Sequence, residues 1–187
     1  MGNKVNSKLL VIDASVARSC GTKEATYPTS VNCRNFLMAV LGICHQIVMT
    51  SDIKKEWDKH QSPFARKWLT QMVAKKKFKF IYISIDNKLW SQVETIAANI
   101  SNKRIEAMTK DLCLIEAALA TDKIVISLDD NTARKFFSAA SVQIDCLKNI
   151  VWVNPDKVEE ETPIEWLKNG AEVESDRLLG NYNTKNE

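Results

Sequence analysis

Residues 123–131, KIVISLDDN, constrain the fold more than any other stretch: a run of apolar, mostly β-branched residues stops abruptly at Asp129, Asp130 and Asn131. A strand buried on both faces reads as an unbroken apolar run, and one that ends in carboxylates places charge at the carboxyl edge of a sheet, where open α/β folds keep their sites. The same event occurs near the start, where Leu9, Leu10, Val11 and Ile12 run into Asp13. Two such strand ends in one chain predict one shared site.

Between these strands the pattern alternates. After the first strand comes a loop at residues 21–29, then a helix capped by Thr29 or Ser30 that turns Val31, Phe36, Leu37, Val40 and Leu41 inward. Residues 47–50 predict a second strand, Ser51-Asp52 opens a helix holding Glu56, and Ser62-Pro63 opens another in the N-cap then N1 arrangement. Residues 78–85, FKFIYISI, alternate and predict a third strand. Asp86-Asn87 caps a helix to about Ile100, and Ser101 or Thr109 starts the next, which ends near Thr121-Asp122. A fourth strand over 124–128, a helix over 132–140 and a fifth strand over 150–153 complete the series. Strands separated by helices predict a three-layer α/β/α sandwich with a mainly parallel sheet of four or five strands, in one domain over residues 1–154. Residues 155–187 predict an acidic C-terminal extension. Thr162-Pro163-Ile164-Glu165 forms a capping box with proline at N1, which gives one short helix, and residues 171–187 are expected to be frayed or disordered.

Charge separates the two parts. From Pro155 onward nine acids face four bases, a balance of −5 that leaves +8 on residues 1–154 within a total of +3. A basic body suits a polyanionic partner, and a mild lysine excess serves equally as solubilisation. The five cysteines are scattered without a C-x-x-C pair, so neither a zinc site nor a disulfide framework is legible and a reducing cytoplasm is expected. The first apolar run is too short for a secretory signal, and the longest greasy segment, residues 36–49, is interrupted by His45 and Gln46 and falls short of the roughly 18 residues of a membrane span.

Each acid has a plain reading by itself. Asp13 and one of Asp129 or Asp130 serve as turn residues or helix caps. Glu56, among Lys54, Lys55 and Asp58, is a solvated surface residue. Asp111 lies on a helix whose apolar stripe is Ile105, Met108, Leu112, Ile115 and Leu119; it falls on one margin of that stripe and Glu116 on the other, so periodicity does not choose between them. Lys54, Lys55, Lys59, Lys75, Lys76 and Lys77 form a candidate phosphate-binding flank beside Glu56, with Trp57 and Trp68 available to stack on bases. The plain alternative is a solvated lysine face with both tryptophans in the core. His45 and His60 have no partner spacing and read as structural or surface groups.

The joint order changes the weight of these signals. VIDAS near the start, a Glu on the helix after the second strand, D-x-x-L-I-E-A-A-L-A before the fourth strand and I-S-x-D-D-N after it resemble the PIN domain family of metal-dependent nucleases over about residues 8–153. The resemblance implies catalytic acids at Asp13, Glu56, Asp111 and Asp129, with Asp13, Asp111 and Asp129 as metal ligands. Ser15 and Ser127 match its hydroxyl positions, and the auxiliary acid stays open among Asp130 and Asn131. Clustered carboxylates repel one another unless a cation neutralises them, and oxygen ligands alone select hard ions, so Mg2+ or Mn2+ is the expected cofactor. The implied activity is an endoribonuclease, with water as nucleophile and products carrying a 5′-phosphate and a 3′-hydroxyl. Small size and a lone catalytic domain suit the toxin of a toxin–antitoxin pair. Expected partners are an RNA substrate and a cognate antitoxin or other protein, with a homodimer left open and no membrane contact. The competing reading is a non-catalytic PIN-like module that binds RNA or protein in a larger complex. Asp13-Ala14-Ser15 lacks the second acid that a haloacid-type phosphotransferase needs, and Val11-Ile12 are not the paired acids of a receiver domain.

Overall fold

The apolar run Leu9–Ile12 forms β1, the central strand of a five-stranded sheet, with Leu10, Val11 and Ile12 fully buried. The computed structural model describes residues 6–98 and 102–182, with side chains described over 6–98 and 111–182. β1 pairs on one side with β2 (Gln46–Met49) and on the other with β4 (Ile124–Ile126), so that Val11 lies opposite both Val48 and Val125. β3 (Phe78–Phe80) lies outside β2 and β5 (Val151–Val153) outside β4, giving the order β3-β2-β1-β4-β5 with every pairing parallel. The fold is the expected three-layer α/β/α sandwich. β4 and β5 are buried throughout and β1 from Leu10 onward, as both-faced coverage requires.

The helices that set the site are α1 (Ala14–Ser19), α2 (Pro28–Gly42), α3 (Ser51–His60), α4 (Pro63–Ala74), α5 (Asn87–Ala98), α6 (Asn102–Leu119) and α7 (Lys135–Ala140). Thr50 caps α3 by accepting from the Ile53 amide at 3.3 Å, and Ser62 caps α4 by accepting from Ala65 at 3.2 Å with Pro63 at N1. Asp86 caps α5 through the Lys88 and Leu89 amides. Trp57 and Trp68 are buried and stack with ring centroids 6.1 Å apart. Each indole N–H is satisfied by a carbonyl: Trp57 donates to Ile12 at 2.8 Å and Trp68 to Leu37 at 2.6 Å. The first of these bonds ties α3 to the end of β1. The base-stacking role for both tryptophans is thereby corrected.

Other expectations shift. α2 begins at Pro28, and Thr29 does not cap it but donates to Asp156 at 2.7 Å. The third strand keeps three residues of the eight, because its partner β2 ends at Met49; Ile81 donates to the Met49 carbonyl and the chain then leaves the ladder. Ser101 lies outside the described residues, and Thr109 falls inside α6 instead of starting it. A π-helical turn (Asp130–Arg134) precedes α7.

As far as Tyr182 the extension holds more than one short helix, and residues 183–187, which the expected frayed end also covered, lie outside the described residues. α8 (Val158–Glu161), α9 (Pro163–Lys168) and α10 (Leu179–Tyr182) follow β5, and Trp166, Leu167, Ala171 and Leu179 join the same buried core as the sheet. Ser138 donates to the Leu179 carbonyl at 2.7 Å and the Leu179 amide to the Ile150 carbonyl at 2.9 Å. His45 is buried between the parts: its Nδ1 accepts from the Lys8 amide at 3.1 Å, which leaves Nε2 to donate to the Leu167 carbonyl at 2.9 Å.

Candidate functional site

In the strand order β3-β2-β1-β4-β5 the chain proceeds outward from β1 in one direction and then crosses back to β4. The switch point therefore lies between β1 and β4, and a crevice forms outside their carboxyl ends. Asp13 and Asp129 stand there. Asp13 follows β1, and its amide donates to the Ile126 carbonyl of β4 at 2.9 Å. Although it occupies the N-cap position of α1, its side chain makes no cap bond. Its Oδ2 accepts instead from the hydroxyls of Ser127, at 2.8 Å, and Ser15. Each serine hydroxyl also accepts: Ser127 from the Asp129 amide at 3.1 Å and Ser15 from the Leu128 amide at 3.3 Å. Both predicted hydroxyl residues thus knit the ends of β1 and β4 together. The plain reading holds in part for Asp129, whose Oδ1 caps the π-helical turn through the Thr132 amide at 2.8 Å.

A cleft of about 210 Å³ opens at this point, lined by Asp13, Ala14, Ile53, Glu56, Asp111, Cys113, Leu114 and Asp129. All four predicted acids line it, arriving from the end of β1, from α3, from α6 and from the end of β4. Glu56 has His60 beside it, with Nε2 3.4 Å from its carboxylate. The choice that helical periodicity left open is resolved by position: Asp111 lines the cleft, whereas Glu116 accepts from the Asp86 amide at 3.0 Å and from the Trp90 indole at 2.8 Å and so holds α5. Cys113 is a lining residue that the sequence reading missed, since it sits between apolar positions of α6. Its thiol is pushed up to about 12, first by burial and then by the carboxylates of Asp111, Asp52, Asp13 and Glu116, so it stays protonated and neutral at ordinary pH.

The donor set suits a hard cation in kind. The cleft offers carboxylate oxygens, and the hydrogen-bond partners of Asp13 and Asp129 are hydroxyls and an amide, which leave their charge uncompensated. In spacing it is looser. Among the described residues no group of three or more His, Cys, Asp or Glu stands close enough together to hold a metal ion.

The auxiliary candidates and the lysines fare differently. Asp130 turns away from the cleft into a buried ionic network: its carboxylate meets Arg134 Nη1 at 3.2 Å and Lys157 Nζ at 3.0 Å, and it accepts from Asn154 Nδ2 at 2.8 Å. Asn131 is exposed and does not line the cleft. Lys54 pairs with Asp58 at 2.5 Å and Lys55 with Asp52 at 3.1 Å on their own helix, while Lys59 is exposed. Lys75, Lys76 and Lys77 precede β3 and therefore stand at the amino edge of the sheet, opposite the cleft, because α4 carries the chain back between them and Glu56. Lys77 moreover donates to the Val40 and Leu41 carbonyls in the last turn of α2 and to that of Ile43 just beyond it. As a phosphate-binding flank beside Glu56 these three are corrected.

Fold and cleft together define an α/β protein with a wholly parallel sheet and a carboxylate-lined crevice at its topological switch point. No protein-family model matches the chain, and neither a curated protein nor a solved structure matches it.

Proposed function

We propose that this protein is a metal-dependent endoribonuclease of the PIN type that its sequence resembles. One observation carries the reading: carboxylates from four separate elements, Asp13, Glu56, Asp111 and Asp129, line a single cleft at the switch point. Acids that are individually caps or surface residues have no reason to share a cleft, and their mutual repulsion is offset most simply by a bound cation. The resemblance assigns Asp13, Asp111 and Asp129 to Mg2+ or Mn2+; they would have to draw closer together to hold the ion, which would supply Lewis acidity toward water and a scissile phosphate.

The chain's own groups supply the rest. Ser15 and Ser127 fix the rotamer of Asp13 by donating to its Oδ2, and the Thr132 amide fixes that of Asp129. Glu56, whose contact is His60, is the carboxylate available to accept a proton from the attacking water. Ala14, Ile53 and Leu114 wall the cleft with apolar surface, which lowers the local dielectric around the acids. RNA as substrate comes from the resemblance, and the basic balance of residues 1–154 supports a polyanion.

The experiment is calorimetric titration of the protein with Mn2+, paired with cleavage of end-labelled RNA in Mn2+ and in EDTA. Saturable Mn2+ binding together with cleavage abolished by EDTA is expected; RNA left intact in Mn2+ overturns the reading. A second reading, a non-catalytic module that binds RNA, is favoured by the spacing of the acids, which forms no metal-binding group among the described residues. It predicts RNA binding with no heat of Mn2+ binding.

A further inference from the structure

Three of the exposed large apolar side chains fall within six positions of one another: Phe80 is 38%, Ile85 64% and Tyr82 92% exposed. Phe80 closes β3, the edge strand, Ile81 makes the last bond to β2, and residues 82–86 run on past the end of β2 without a ladder partner. In a parallel sheet that direction leads to the carboxyl edge, the same edge that carries Asp13 and Asp129. The far end of this stretch is tied down where the Asp86 amide donates to Glu116 on α6, the helix that also presents Asp111 to the cleft. An exposed aromatic stretch therefore runs from the outer edge of the sheet to the helix that presents Asp111 to the crevice. β3 lies two strand spacings from β1, about 10 Å.

Phe80 and Tyr82 are alternate residues of this stretch and meet edge to face, with ring centroids 5.1 Å apart at an interplanar angle of 66°. Phe80 thus braces Tyr82 while nearly all of the Tyr82 surface stays in water. Leaving an aromatic ring in water forgoes its burial energy. Lys79 and Lys88 are exposed on either side, and the acid between them, Asp86, is engaged by the Lys88 and Leu89 amides. Lysine beside open aromatic faces matches a strand of unpaired bases on a phosphate backbone, whereas lysines along an edge strand discourage the addition of a protein strand.

We propose that Phe80 and Tyr82 form a stacking platform for single-stranded RNA, whose backbone passes Lys79 and crosses the ends of β2 and β1 toward the carboxylate cleft. The choice of polymer rests on the nuclease reading. Stacking uses the face that every base shares, so the platform selects unpaired over duplex RNA and tolerates any sequence.

The test is fluorescence anisotropy with a short labelled oligouridylate in EDTA, so that binding is read without cleavage. Tyr82→Ala is expected to weaken binding about five-fold or more and Tyr82→Phe to leave it unchanged, because the ring and not the hydroxyl carries the stacking. Lys79→Gln is expected to lower the slope of log K against log salt by about one. Tyr82 is so exposed that its removal spares the fold, which circular dichroism checks. Equal binding by Tyr82→Ala and wild type overturns the platform, as does tighter binding of a duplex than of the single strand. A wild-type dimer that Tyr82→Ala dissociates in sedimentation overturns it in favour of an interface between two copies. The two readings fail separately: an inactive, Mn2+-blind wild type that still loses oligouridylate through Tyr82→Ala sinks the nuclease alone, and intact cleavage with unaltered Tyr82→Ala binding sinks the platform alone.

Discussion

Ser127 donates its hydroxyl hydrogen to Asp13 across 2.8 Å, although 114 residues separate the two in the chain. The bond crosses from the end of β4 to the end of β1, and the same oxygen accepts the Asp129 amide. Ser127→Ala therefore removes a donor from one cleft acid and an acceptor from the backbone of another. Ser127 is 1% exposed, whereas Asp13 opens on the cleft and can take a water in its place, so a loss of about 1 kcal/mol in urea unfolding is expected. An unchanged urea midpoint would show that the bond contributes nothing.

Asp13→Asn and Asp111→Asn each remove one charge from the cleft while keeping side-chain shape. Both are expected to abolish Mn2+-dependent RNA cleavage, with thermal stability in EDTA equal to or above wild type because like-charge repulsion is relieved. Added Mn2+ should raise the wild-type Tm by mass action and raise that of the variants less. Full cleavage by either variant contradicts the assignment.

His45 gives the fold an acid-sensitive joint. Burial holds its pKa below the ordinary value of 6.5, and protonating Nδ1 removes the acceptor for the Lys8 amide. Since the unfolded chain binds this proton more readily than the folded one, the contribution of His45 to stability is complete above pH 6.5. It is lost as pH falls below that value toward the depressed folded pKa. Urea midpoints between pH 8 and pH 5 should fall on the acid side, and His45→Gln should flatten that limb; a parallel fall in the variant assigns the acid sensitivity elsewhere.

Glu161 fastens the extension to the body. Its Oε1 accepts from Arg134 Nη1 at 2.5 Å, its Oε2 accepts from the Asn154 amide at 2.9 Å, and its backbone carbonyl accepts from Arg177 Nη2 at 2.5 Å. Arg134 is 2% exposed and also lies 4.2 Å over the Tyr182 ring. Glu161→Ala leaves the Arg134 guanidinium buried with Asp130 as its remaining carboxylate partner in the network, a change expected to cost about 3–5 kcal/mol. Chemical denaturation reads this directly, and a loss under about 1 kcal/mol would mean that water or a neighbour compensates Arg134.

The buried strands were the most legible part of the chain. Leu9–Ile12 reads as a strand because an unbroken run of that length has no helical face, and the structure keeps those bounds. Alternation misled at residues 78–85, because periodicity records which way side chains point and not whether a neighbouring strand is there to pair with; β2 has already ended. Asp13, Glu56 and Asp129 could be placed at one cleft because each comes after a strand and so near its carboxyl edge, whereas Asp111, inside the helix that returns to β4, was assigned by the resemblance and not by its spacing. Proximity in sequence failed for Lys75–Lys77, which a returning helix moves to the opposite edge. The extension was hardest to read. Its charges look solvated in the sequence, yet Glu161 and Arg177 are turned inward by partners that lie far away in the chain.

The pairing of β1 with β4 has a consequence for synthesis. A nascent chain lacking residues beyond 123 already contains Asp13, Glu56 and Asp111 but not the strand that aligns the first of them or the loop that brings Asp129. Closing so long a loop is among the slower events of folding, so the crevice comes into being only when the chain as far as β4 is free to pair. Truncated products released by stalled ribosomes then lack the crevice, whatever acids they carry.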